Sequence, residues 1–198
     1  MVKLIECPRD AMQGIKHFIN TDIKVAYINK LLKVGFHTID FGSFVSPKAI
    51  PQMRDTAAVL SALDLSETDT QLLAIVANKR GALDASVFEE ISYLGYPFSI
   101  SETFQQRNTN ASIEESLDRV MEIQSICKAN DKKLVVYISM AFGNPYGDPW
   151  NVEICQKWVN TLADMDIQHL ALSDTIGVAS ADSIAYLFGN LIPPNPEL

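Results

Sequence analysis

Histidine, cysteine and basic charge are all scarce in this chain, and each scarcity removes a class of function. Three histidines (His17, His37, His169) are scattered over 198 residues without pairing, so none shares the close spacing of metal-ligand histidines. Core or surface roles are expected for them. Three cysteines (Cys7, Cys127, Cys155) are odd in number and form no C-x-x-C, which points to reduced thiols in a cytoplasmic protein. Lysine and arginine number 16 against 24 acidic residues, a net charge of −8. That balance argues against a nucleic-acid partner, which needs a basic face. An anionic small ligand stays open, because a few local cations suffice for it. No stretch approaches the roughly 20 apolar residues of a membrane span, so no membrane partner is expected. The opening MVKLIEC lacks both the apolar run of a signal peptide and Arg/Ser-rich transit character. The motifs G-x-G-x-x-G and G-x-x-x-x-G-K-[ST] are absent too, which removes the usual dinucleotide and phosphate-loop readings.

What is present is a core and a rhythm. Apolar residues make up 47% and charged residues 20%, enough for one folded domain over residues 1–198. Short apolar runs recur at Val2–Glu6, Thr38–Phe41, Gln71–Ala77, Phe98–Ser101, Lys133–Ser139 and His169–Ser173. Their starts lie roughly 27 to 36 residues apart, the size of one strand–helix unit. Between them, Ile23, Tyr27, Leu31 and Val34 fall at helical spacing, and Gly35 ends that segment. Ser112-Ile-Glu-Glu115 has the form of a capping box, with Ile113, Leu117, Val120 and Ile123 behind it on a buried face. Asn151 to Met165 predicts a further helix with Val152, Cys155, Val159, Leu162 and Ala163 on one side. Less regular patterns predict helices over Met53–Leu63, Arg80–Leu94 and Ala181–Leu191.

Six alternating units imply an α/β fold with a parallel sheet, either doubly wound or a TIM (β/α)8-type barrel with six of its eight units in this chain. Two features favour the barrel. The spacing is regular, and a reactive or polar residue follows nearly every strand: Arg9-Asp10, Asp40, Asn78, Glu102, Ser139 and Asp174. Barrel enzymes gather their sites from many strand ends, whereas open sheets concentrate ligand at one switch point. Ile192 to Leu198 reads as a helix-to-strand loop ahead of a seventh strand.

Arg9 and Asp10 stand just past the first strand, where Pro8 breaks it, and Gln13 adds a polar group to the same loop. A cation beside a carboxylate suits a metal on one side and a developing oxyanion on the other; a structural ion pair is the competing reading. Asp40-Phe-Gly-Ser43 leads into a Ser/Pro-rich loop with one cation, Lys48. It is either a ligand contact or a helix entry stiffened by Pro47 and Pro51. Lys48, Lys79, Arg80 and Arg107 together could hold a phosphorylated cofactor such as coenzyme A, while any one alone reads as a solvated surface. Asp174 and Thr175 either face a substrate hydroxyl or cap a helix.

These stretches closely resemble the 3-hydroxy-3-methylglutaryl-CoA lyase family of metal-dependent TIM-barrel lyases. The matching stretches are PRDAMQ, SFVSPKAIPQM, NTNASIEES and SDTIGVAS, of which the second and fourth together are specific. The resemblance implies a carbon–carbon lyase that cleaves a 3-hydroxy-3-methylglutaryl-CoA-like substrate to acetyl-CoA and a keto acid, with a divalent cation (Mg or Mn). Arg9 would neutralise the enolate oxygen and Asp10 would ligate the metal. Gln13 and Lys16 would line the site or the coenzyme A entry, and Asn108 would lie near the acyl-CoA beside Arg107. Asp174 and Thr175 would lie beside the substrate. It also implies a homodimer as a candidate assembly.

The sequence departs from the family pattern at several positions. Asp40 replaces a glutamate, Ala11 a glycine, Val135 an arginine and Asn144 a cysteine, which suggests a divergent substrate. The family's H-x-H has no counterpart in these 198 residues, so this length alone is expected neither to bind metal tightly nor to turn over. The alternatives are a Claisen-type synthase or aldolase on the same barrel, and a non-catalytic remnant.

Overall fold

Six strands alternate with helices in the computed structural model, which describes residues 2–192. In chain order the elements are β1 (Ile5–Glu6), α1 (Pro8–Gln13), α2 (Thr21–Leu32), β2 (Thr38–Ser43), a 3-10 turn (Pro51–Met53), α3 (Thr56–Ser61) and β3 (Gln71–Ile75). There follow α4 (Lys79–Ser86), β4 (Ile91–Ser99), α5 (Glu102–Thr109), α6 (Ile113–Ala129), β5 (Lys133–Ser139), α7 (Val152–Asp164), β6 (His169–Leu172) and α8 (Ala181–Leu191). The strands hydrogen-bond in chain order, β1 to β6, the topology that repeated strand–helix units produce. Two compact units divide the chain: Met1–Leu94 with Ile126–Lys133, and Gly95–Ser125 with Leu134–Leu198.

In the first unit, β1 pairs parallel with β2, and β2 parallel with β3. β2 is buried along its whole length, and Ile39, Phe41, Leu72, Leu73 and Ala74 form the core there. A register shift between Asp40 and Gly42 bulges β2. It brings Gly42 so close to Thr56 that a Cβ at position 42 would lie 2.5 Å from the threonine methyl. In the second unit, β5 pairs parallel with β6. Val136 and Ile138 pack there with Tyr96, Phe98, Val120, Ile123, Cys155 and Leu162 in the core. Phe98 meets Trp158 edge-on at 5.6 Å between ring centroids, a favourable aromatic packing geometry.

Helix α8 spans Ala181–Leu191 as its pattern implies, and Ser180 and Ser183 close a capping box. The box at Ser112 is present too: the Glu115 N–H donates to Ser112 Oγ at 3.0 Å and the Ser112 N–H to Glu115 Oε2 at 2.8 Å. Other expectations need correction. Pro8 does not simply end the first strand; it opens α1 from its first turn, where a residue without an N–H costs nothing. The Arg9-Asp10-Gln13 segment is therefore helix, not loop. Val2 and Leu4 are 86% and 65% exposed, and Ile5, although paired with β2, is still 51% exposed. The stripe Ile23, Tyr27, Val34 faces outward at 55%, 42% and 64% exposure; the buried row of α2 is Lys24, Ile28 and Leu32. The helix expected over Arg80–Leu94 stops at Ser86, and β4 begins at Ile91 rather than Phe98, with Gly95 and Pro97 accommodated inside it. Helix α5 gave no apolar period, since its sequence is ETFQQRNT. The loop reading of Pro193–Leu198 lies outside the described residues.

Candidate functional site

Parallel register builds the centre of the first unit. Ile5 stands opposite Thr38 and Glu6 opposite Ile39, so the next turn of chain carries Arg9 alongside Asp40. Arg9 Nε donates to Asp40 Oδ1 and Oδ2, each at 3.1 Å, and Nη2 donates to Oδ2 at 2.5 Å. Both groups are buried, Asp40 completely and Arg9 at 9% exposure. Burial pushes the Asp40 carboxyl above its usual range, and the guanidinium beside it pulls the other way. A forked guanidinium on a buried carboxylate is a stiff, charge-assisted contact.

The other edge of Arg9 is turned toward α1. Nη1 donates to Asp10 Oδ1 and to Gln13 Oε1, both at 3.0 Å, and Gln13 Nε2 donates to the same Asp10 oxygen at 2.8 Å. The helix makes this possible, since residues three and four apart share a face. Asp10 itself is 65% exposed. Ala11 lies inside α1 in ordinary helical backbone, so a glycine is not required at that position. Cys7, half-buried beside this cluster, has its thiol pushed up to about 11 by burial and by the Asp40 carboxylate, against the pull of Arg9. It is an inert thiol rather than a nucleophile.

Of the residues singled out in the sequence, the structure brings Arg9, Asp10, Gln13 and Asp40 into one hydrogen-bonded cluster. Ser43, buried, accepts from the Val45 N–H and donates its own N–H to Thr56 Oγ1, both at 3.1 Å. It lines a cavity of about 440 Å³ together with Arg54, Asn78 and Arg80. Arg80 is 92% exposed and only 3.8 Å from Asp84. Asn78 is committed as the cap of α4, accepting from Gly81. Lys16 and Lys48 are exposed.

The second unit holds the rest. Asp174 accepts from the Val178 and Ala179 N–H groups, each at 2.9 Å, and those amides depress its pKa. Thr175 Oγ1 accepts from Met140 N–H at 2.8 Å, which steadies a buried, left-handed Met140 (φ 62). Arg107 lies over the Tyr146 ring at 4.8 Å, and Asn108 is exposed beside it. Asn144 braces its own loop through Tyr146 and Asp148.

Sequence reasoning missed two polar groups. Asp148 accepts from Ser101 and Thr103 at the start of α5. Gln52, 4% exposed, bonds to three backbone groups of the loop after α1; a glutamine inside a short turn was the available signal.

Asp10 offers a hard oxygen of the kind Mg or Mn prefers, and both of its hydrogen bonds fall on Oδ1. Among the described residues no three His, Cys, Asp or Glu side chains come together around a common point. None of the described helices is long and apolar enough to cross a membrane.

The HMGL-like family model matches residues 2–195. A cytoplasmic 3-hydroxy-3-methylglutaryl-CoA lyase of Danio rerio is 34% identical over 98% of this chain and 58% of its own length. The hydroxymethylglutaryl-CoA lyase YngG of Bacillus subtilis is 31% identical over 96% and 62%. The chain thus spans about three fifths of the curated relatives it matches. Among solved structures, the Bacillus subtilis HMG-CoA lyase superposes with a TM-score of 0.92 at 31% identity, covering 98% of this chain and 65% of that one. An Acinetobacter HMG-CoA lyase in complex with coenzyme A and 3-methylmalate gives 0.91 at 27%, covering 100% and 64%. These likenesses bear out the barrel-type α/β fold read from the sequence, six units of which lie in this chain.

Proposed function

The chain belongs to the HMGL-like family, and from that footing we propose that it carries the Arg-Asp half of a lyase site acting on a 3-hydroxy-3-methylglutaryl-CoA-like substrate. The observation that carries the reading is the Arg9 cluster: a guanidinium anchored through one edge by buried Asp40, with its other edge turned to exposed Asp10 and to Gln13.

The reaction is a retro-Claisen cleavage. The tertiary hydroxyl loses its proton, the adjacent C–C bond breaks, and its electron pair moves onto the thioester carbonyl as an enolate. Protonation at carbon then gives acetyl-CoA, and the former alcohol carbon becomes the ketone of acetoacetate or a related keto acid. Arg9 suits the enolate oxygen, because a fixed cation on a buried support stabilises developing negative charge without reorganising. Gln13, a neutral partner on the Nη1 edge, is the group a substrate oxygen would displace. Asp10 would hold the divalent cation, Mg or Mn, which when bound lowers the pKa of a coordinated hydroxyl. In the first unit Lys16, Lys48 and Arg80 are proposed coenzyme A contacts and Ser43 an acyl contact, while Asp40, wholly buried, acts only through Arg9. In the second unit, taken by itself, Arg107 with Asn108 and Asp174 with Thr175 are proposed ligand contacts. Support for an acyl-CoA comes from the coenzyme A in the Acinetobacter relative. A cytoplasmic location, supported by the name of the Danio rerio relative, and a homodimer complete the reading.

The test is acetyl-CoA release from 3-hydroxy-3-methylglutaryl-CoA by the complete gene product with Mn or Mg. Arg9→Lys keeps a charge but loses the fork, and kcat is expected to fall about 10² to 10³-fold. A variant at parental kcat would remove Arg9 from the role.

A further inference from the structure

We propose that Gln52 is a positioning residue for the acyl-CoA: it fixes the loop after α1 and, through that loop, the place of Lys16 and Gln13. This rests on the acyl-CoA reading above. Gln52 closes the SFVSPKAIPQ stretch, and nothing in the sequence gives that glutamine a task. In the fold its side-chain amide is fully committed. Oε1 accepts from the Ile19 N–H at 2.9 Å, and Nε2 donates to the Ile15 and His17 carbonyls, both at 3.0 Å. One primary amide supplies two donors and an acceptor, and here all are spent on one loop 33 to 37 residues away.

That loop needs holding. Gly14, Ile15, Lys16 and His17 are exposed, and the segment between α1 and α2 has no regular structure of its own. Exposed segments without core contacts open at little cost. The hook is stiffened from behind. The Lys24 ammonium, buried in α2, donates to the Gln52 carbonyl and to Asp55 Oδ1, the latter at 2.6 Å. The Thr21 hydroxyl donates to Asp55 Oδ2 at 2.8 Å. Phe18, from the same loop, has the Lys24 ammonium 4.3 Å and the Arg54 guanidinium 3.7 Å from its ring centre. Both cations sit in range of its π face.

Glutamine fits this job in a way its neighbours in chemistry do not. Glutamate keeps the acceptor for Ile19 but faces two carbonyls with lone pairs. Methionine keeps the volume and loses all three bonds. A loop released from Gln52 leaves the β2–β3 core in place, so its loss shows as poorer binding rather than slower chemistry.

The experiment uses the complete gene product and the substrate 3-hydroxy-3-methylglutaryl-CoA. Gln52→Met is expected to raise KM about tenfold with kcat within about twofold, since only binding contacts are displaced. Combined with Lys16→Met, the KM effects are expected to be strongly non-additive, because both act through one contact. Gln52→Asn, which keeps the amide on a stem one methylene shorter, is expected to raise KM less than Gln52→Met and serves where the methionine variant does not fold. Amide exchange at Ile19 is expected to accelerate in Gln52→Met without ligand. A fall in kcat at constant KM, additive effects with Lys16→Met, or unchanged exchange at Ile19 overturns the proposal. If the parent protein neither binds nor cleaves the acyl-CoA, the functional reading and this role fall together, while the Ile19 exchange still reports whether the hook holds the loop.

Discussion

Asp40 and Asp174 look alike in the sequence, each a carboxylate at the end of an apolar strand, yet the two units use them in opposite ways. In the first unit, Asp40 is wholly buried and both its oxygens face one guanidinium, Arg9, from 31 residues away. In the second, Asp174 is exposed and its oxygens take the N–H groups of Val178 and Ala179, four and five residues on. A buried charge requires its partner, so Asp40 and Arg9 stand or fall together. An exposed carboxylate over two amides pins a local turn, and water substitutes for it at little cost. Asp40 lies inside β2 and Asp174 just past β6, so a carboxylate beside an apolar run does not by itself have a set role; its partner and its depth decide it.

The largest expected effect separates the two directly. Arg9→Met leaves Asp40 buried without a counter-charge, and unfolding free energy is expected to drop by about 3–5 kcal/mol, measured by denaturant titration. Adding Asp40→Leu to that variant removes the stranded charge and should recover much of the loss. If the double variant is as unstable as the single one, the pair is not coupled as its geometry implies.

Next comes the bulge that sets Asp40. Gly42→Ala would place its Cβ 2.5 Å from the Thr56 methyl, and about 1–3 kcal/mol of destabilisation is expected from overpacking. Thr56→Ser removes that methyl while keeping the hydroxyl that bonds Ser43 N–H and the Met53 carbonyl. It is expected to rescue part of the loss in thermal melts.

A smaller effect lies in acid. The hydrogen bond from Ser101 leads the groups that hold Asp148 below the usual carboxylate range, and amide donors do the same for Asp174. A depressed folded pKa contributes stability above the unfolded value, near 3.9, and that contribution is lost as pH falls through the lower folded value. Below about pH 4, amide exchange at Thr103 and at Val178 and Ala179 should therefore speed up. Unchanged exchange down to pH 2 would speak against both anchors.

The smallest effect sharpens the contrast from the other side. Asp174→Asn is expected to loosen the Val178 and Ala179 amides in exchange while leaving the thermal midpoint of the protein where it was. A large shift in that midpoint would place Asp174 in the same class as Asp40.

Much of this fold was legible residue by residue. The recurring strand–helix rhythm, the capping box at Ser112, and the buried rows of α6 and α7 are local patterns, so the sequence alone determined them; the Ser180 box, with a serine where Glu or Gln is usual, emerged only in the structure. The Arg-Asp-x-x-Gln grouping was legible for the same reason. Tertiary structure decided which side of a helix is inside. Across α2 and the turn after it, Ile23, Tyr27 and Val34 fall at helical spacing as Lys24, Ile28 and Leu32 do, and hydropathy alone favoured the former. Packing buried the row holding a lysine, because Asp55 and the Gln52 carbonyl were there to receive its charge. Tertiary structure also decided the partners of Arg9 and Gln52. Those contacts span more than 30 residues and depend on the register of β1 against β2 and on where the 3-10 turn falls. Periodicity reports how a segment lies on its own axis; only the packed chain sets what stands opposite it.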